Sequence, residues 1–81
     1  MTLEELADRY RLELQDATVG VRKSWEEMFR YTFRHFSKET DLASFDVDEL
    51  SDVLVSSGMT PQIVEGYVKR WSQLSLWGRS I

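Results

Sequence analysis

VRKSWEEMFRYTFRHFSK, residues 21–38, divides into two faces when its residues are placed at about 100° intervals around a helix. Trp25, Met28, Phe29, Thr32, Phe33 and Phe36 fall on one side. Lys23, Arg30, Arg34 and Lys38 fall on the other, interrupted only by Glu27. The first side predicts a core face, whose large side chains each stabilise by roughly 1.5–3 kcal/mol when fully buried. The second side admits two readings. It is the solvated outer face that any surface helix carries, or it is a surface laid against a polyanion.

Working outward from this helix, the same periodicity predicts three more. A first helix runs from about Leu3 to Gln15, with Leu3, Leu6, Ala7, Tyr10 and Leu14 in one stripe and Leu12 pointing away from it. Thr2 caps it, and Glu5 completes a Thr-x-x-Glu capping box. Asp16 to Gly20 reads as a connection with Gly20 as its flexible point, so the central helix is expected from Val21 or Arg22 to Phe36. Within it, Glu26 and Arg30 are spaced to form an i,i+4 pair. Residues 37–45 read as a loop. Asp46 then caps a short third helix over about Val47 to Ser56, with Glu49 closing the box and Gly58 supplying the stop. Thr60-Pro61 opens a fourth helix, whose inward stripe is Val64, Tyr67, Val68, Trp71 and Leu74. Its outward face is Gln62, Gly66, Lys69 and Gln73. Gly66 is either a tolerated surface glycine or a place where another backbone or a ligand comes close.

Eighty-one residues allow one domain, and ten aromatic residues suit a small unassisted core. The absence of cysteine excludes disulfides and thiolate metal sites. No apolar run is long enough to span a bilayer, and Met1 is followed by Thr-Leu-Glu-Glu rather than a basic region and an apolar block. A cytoplasmic chain with no membrane partner is expected. Nothing supports catalysis. His35 is the only histidine and has no nucleophile or acid arrangement beside it, and there is no glycine-rich phosphate loop. The acids between Asp41 and Asp52 fail the spacing of a calcium loop, because Ala43, Phe45 and Asp46 stand where ligands and a glycine are needed. No cofactor or metal is expected. The net charge of −4 argues against a generic nucleic-acid binder but leaves room for a local basic face. Bases gather between Arg22 and Lys38 and again at Lys69, Arg70 and Arg79.

The order of these elements resembles the core-binding, SAM-like N-terminal domain of phage integrases and other tyrosine recombinases. Thr2-Leu3-Glu4-Glu5-Leu6-Ala7-Asp8-Arg9-Tyr10 is similar to the opening helix of that family. Val21-Arg22-Lys23-Ser24 with Phe29, Phe33 and Phe36 is similar to its second helix, although the family usually has Thr near Ser24 or Trp25. Asp41 to Leu50 resembles the link into the third helix, Met59-Thr60-Pro61 to Trp77 the fourth, and Gly78 to Ile81 the segment that precedes the catalytic domain. The resemblance implies an all-α, four-helix SAM-like bundle with a short third helix. It also implies a domain that clamps double-stranded DNA alongside other recombinase protomers. The catalytic domain would follow residue 81, as the terminal Trp77 and Ile81 also suggest, so these residues would not themselves form an enzyme. Carried over to this chain, the contacts to DNA would come from Arg22, Lys23, Ser24, Arg30 and Arg34 on the second helix. Gln62, Lys69, Arg70 and Gln73 would contribute from the fourth. Lys and Arg would meet phosphates, and the glutamines could read adenine edges. The competing expectation is an acidic helical protein–protein interaction module, motivated by the net charge and by Leu12, Leu76, Trp77 and Ile81, which the core stripes leave over.

Overall fold

The computed structural model describes all residues from Met1 to Ile81. The fold is all-α, with helices α1 (Leu3–Glu13), α2 (Val19–His35), α3 (Val47–Ser56) and α4 (Pro61–Ser80). One 3-10 turn, Leu42–Ser44, lies in the segment expected to be loop. The length predicts one domain, and the chain divides into two compact units, Met1–Ala43 and Ser44–Ile81. No helix is long and apolar enough to cross a membrane.

In the first unit, every backbone donor at the start of α1 has a partner. The Thr2 hydroxyl accepts from the Glu5 N–H, and the Glu5 carboxylate accepts from the Thr2 N–H, so the expected capping box is formed. The two remaining amides are met by the segment that follows α2. Leu3 N–H donates to the Thr40 carbonyl at 2.9 Å and Glu4 N–H to the Lys38 carbonyl at 3.1 Å. A one-residue antiparallel bridge, Thr2 to Asp41, continues the contact. Helix starts leave such donors orphaned, and here a strap from α2 satisfies them. The strap holds Lys38 beside the first turn of α1.

Helix α2 begins two residues earlier than the spacing predicts. Thr18 is its cap, accepting from the Val21 N–H at 3.3 Å, which places Gly20 inside the helix and corrects its reading as a hinge. A threonine with a free hydroxyl outweighs the modest cost of a glycine in the first turn. The helix ends at His35, with Phe36 extended behind it. The buried face is narrower than expected. Met28, Phe29 and Thr32 are buried, while Trp25, Phe33 and Phe36 keep an edge in solvent. The Thr32 hydroxyl donates to the Met28 carbonyl at 2.8 Å, so this buried polar group is satisfied within its own helix. The aromatic side chains form a row along α2. Tyr10 of α1 meets Trp25 at 4.6 Å between ring centres, Trp25 meets Phe29 at 6.1 Å, and Phe29 meets Phe33 at 6.4 Å.

In the second unit, the Asp46 carboxylate accepts from the Asp48 N–H at 2.8 Å. The cap therefore engages the second helical position, and the box expected with Glu49 is not made. The bounds of α3 match the expected ones. Gly58, at φ +94°, ends the helix as the spacing predicts, with Gly58 N–H donating to Val55 and Met59 N–H to Leu54. This paired arrangement satisfies two terminal carbonyls and needs the left-handed backbone that glycine adopts without strain. Thr60 caps α4, accepting from the Ile63 N–H, with Pro61 in the first turn. Val64, Tyr67, Trp71 and Leu74 are buried along α4, and Leu50 and Leu54 along α3. Val68, expected inward, is half-buried, as is Val53. The Phe45 ring meets Trp71 edge-on at 5.2 Å.

Candidate functional site

The outer face of α2 carries Arg22, Lys23, Arg30 and Arg34, all exposed, and Ser24 at its half-buried margin. The expected pairing of Glu26 with Arg30 is replaced. Glu26 reaches across to α1, where its two oxygens accept from Arg11 Nε at 2.6 Å and Nη2 at 3.1 Å. Asp8 accepts from Arg11 Nη1 at 2.6 Å. A bidentate fork to a fixed acceptor on another helix competes well against a flexible i,i+4 pair. These hydrogen bonds, Glu26 foremost, push the Arg11 pKa above its ordinary value and hold the guanidinium charged. The exchange leaves Arg30 without Glu26 as its ion-pair partner.

Four cations of this unit rest on aromatic rings. Arg30 lies over the Tyr31 ring at 5.4 Å and Arg34 over the same ring at 4.9 Å. Lys38 lies over Phe33 at 5.9 Å, and the Arg11 guanidinium over Phe29 at 5.0 Å. Such contacts attract through the ring quadrupole and order long side chains that would otherwise be mobile. Between α1 and α2 they line a hollow of about 280 Å³, formed by Glu4, Arg11, Glu26, Phe29, Arg30, Phe33, Arg34 and Lys38. That is below the roughly 300–1,000 Å³ typical of drug-sized ligand sites, so it suits one side chain or one base rather than a whole cofactor. Of the other acids in this unit, Glu4 lines the hollow, Glu39 follows Lys38 in the strap, and Asp41 serves the backbone by accepting from Ala43 N–H at 2.8 Å.

The other expected contact residues lie on α4, in the second unit. Gln62, Lys69 and Gln73 are exposed and share one stripe with Gly66. Lys69 is paired with Glu65 at 3.3 Å, an exposed i,i+4 contact that costs little to open. Arg70 is half-buried and turned off the stripe. The structure thus gathers five of the nine residues on α2 and four on α4.

Arg11 is the residue that the sequence reading missed. Its position on the flank of the α1 stripe was visible, but its facing partner Glu26, 15 residues on, was not. Open space surrounds Gly66: a Cβ there would meet no heavy atom within 4 Å. Gly66→Ala is therefore expected to raise stability by about 0.5–1 kcal/mol, because alanine costs the unfolded chain less freedom to lose. A thermal melt should show a midpoint a few degrees higher, and a fall would mean that the site is crowded. No family model, curated protein or solved structure matches this chain.

Proposed function

We propose that this chain binds double-stranded DNA through the outer face of α2, as the non-catalytic clamping part of a site-specific tyrosine recombinase. The carrying observation is the row of Arg22, Lys23, Arg30 and Arg34, exposed along one helix while Glu26 is engaged by Arg11. Phosphates are met by such a row without sequence reading, and the binding falls steeply with salt through counterion release. Gln62 and Gln73 on α4 supply groups able to read adenine edges. The downstream catalytic domain and other protomers would complete the clamp and supply the effective concentration that one face lacks.

The test is a titration of labelled duplex DNA followed by amide NMR shifts, at low salt and again at higher salt. Shifts confined to residues 22–34 and 62–73 that fade with salt support the clamp. A second reading, an acidic helical protein-interaction module, is favoured by the exposure of Leu12, Leu76 and Ile81 in a chain of net charge −4. No shift at millimolar duplex and low salt would make it the better one.

A further inference from the structure

We propose that the hollow between α1 and α2 seats an unpaired nucleotide, its base on the Arg11 and Phe33 surfaces and its phosphate among Arg30, Arg34 and Lys38. This rests on the nucleic-acid reading of α2 and specifies what that face holds beyond duplex phosphates. Phosphates ask for charge alone. Here every cation in the second half of α2, and Arg11 opposite it, lies on an aromatic ring. Within the hollow, the Arg11 guanidinium over Phe29, with Phe33 beside it, builds a low platform of flat groups, while Tyr31, which carries Arg30 and Arg34, is not part of its lining. Planar, unstacked bases use such a platform; bases inside a duplex are closed to it.

Arg11 shows the distinction most sharply. Three of its five N–H donors, one each on Nε, Nη1 and Nη2, are engaged by Glu26 and Asp8, so its charge is already met by two carboxylates. Its guanidinium lies over Phe29, and its side chain is 38% exposed. What it offers is a rigid flat face. Phe29 itself is buried beneath it, and Phe33 continues the surface half-exposed, 6.4 Å from Phe29 with the rings 24° apart. An acidic peptide would match the net charge of the hollow but leave its flat faces unused. The size of the hollow fits one base.

The experiment compares four fluorescein-labelled probes at one low salt concentration: twelve-residue oligothymidylate, a blunt 20-base-pair duplex, the same duplex with a three-nucleotide single-stranded tail, and polyglutamate. The tailed duplex is expected to bind about tenfold tighter than the blunt one, the scale of one base stacked on an aromatic platform. Phe33→Leu, which keeps apolar volume, should abolish that advantage and leave blunt-duplex affinity unchanged. Phe33→Tyr should restore it. Equal affinity for blunt and tailed duplexes overturns this proposal while leaving the duplex reading intact. An advantage that survives Phe33→Leu also overturns it. Binding of oligothymidylate without the blunt duplex would sustain the nucleotide site and sink the duplex clamp. Tighter binding of polyglutamate than of oligothymidylate would assign the hollow to acidic peptides instead and overturn the proposal.

Discussion

Trp71→Ala is expected to abolish cooperative folding of this chain at room temperature. Trp71 is the largest of the fully buried side chains, with none of its surface exposed, and its ring meets Phe45 at 5.2 Å. Truncating a buried tryptophan removes its transfer free energy and leaves a cavity, which together cost about 3–5 kcal/mol. Small domains have roughly 5–10 kcal/mol of stability at most, and a chain this short sits toward the low end. At roughly 4–8 °C per kcal/mol for a chain of this size, the melting midpoint should fall by on the order of 20 °C or more. Circular dichroism should show reduced helicity at 25 °C and a broad, shallow melt. Trp71→Phe keeps most of the volume and should cost clearly less. A Trp71→Ala midpoint within a few degrees of the parent would show that α4 does not carry the core its stripe implies. The exposed Leu76 gives the contrast: at 68% exposure, Leu76→Ala should leave the melt nearly unchanged.

The helices were legible where local chemistry decides them. Thr2 with Glu5, Asp46, Gly58 and Thr60-Pro61 each act within a few residues of themselves, so spacing alone locates them. Apart from Gly20, which a local cap decided, the misses share one physical origin, competition settled by groups distant in sequence. Gly20 resembled a hinge because glycine loosens a chain, yet Thr18 two residues before it supplied a cap and the helix ran through. Glu26 looked paired with Arg30 because i,i+4 partners are always near. Arg11 on the neighbouring helix offered two donors in fixed geometry and took it. The breadth of the α2 apolar face was overestimated for a similar reason. Periodicity tells which residues share a side, but whether Trp25 and Phe33 are covered depends on what α1 places above them, and Tyr10 covers only part of the row. The cationic row itself was fully visible. The aromatic seats beneath it were visible only as residues, because Tyr31 was assigned to neither face and Phe33 to the core.

The chain carrying both Arg30→Ala and Arg34→Ala is expected to lose duplex affinity on the order of 100-fold at low salt. Each guanidinium is exposed, rests on Tyr31 and has no carboxylate partner, so each is available as a charge-assisted donor to a phosphate. A contact of that kind is worth about 1.5 kcal/mol or somewhat more, close to tenfold in affinity. Their removal should not unfold the helix. The two lie four residues apart with like charge, a mildly destabilising pair, and alanine is the better helix former. The amide spectrum of the variant should therefore match the parent away from residues 30–34. The second readout separates this effect from a general weakening. The slope of log affinity against log salt should become shallower by about 1.8, or about 0.9 per phosphate contact on B-form DNA. Gln62→Ala with Gln73→Ala should do the opposite. Neutral side chains release no counterions, so the slope should stay as it is, while discrimination between duplexes that differ in an adenine should shrink by about 1–3 kcal/mol per lost bidentate contact. If the double arginine variant keeps its salt slope, the row on α2 takes no part in binding duplex DNA.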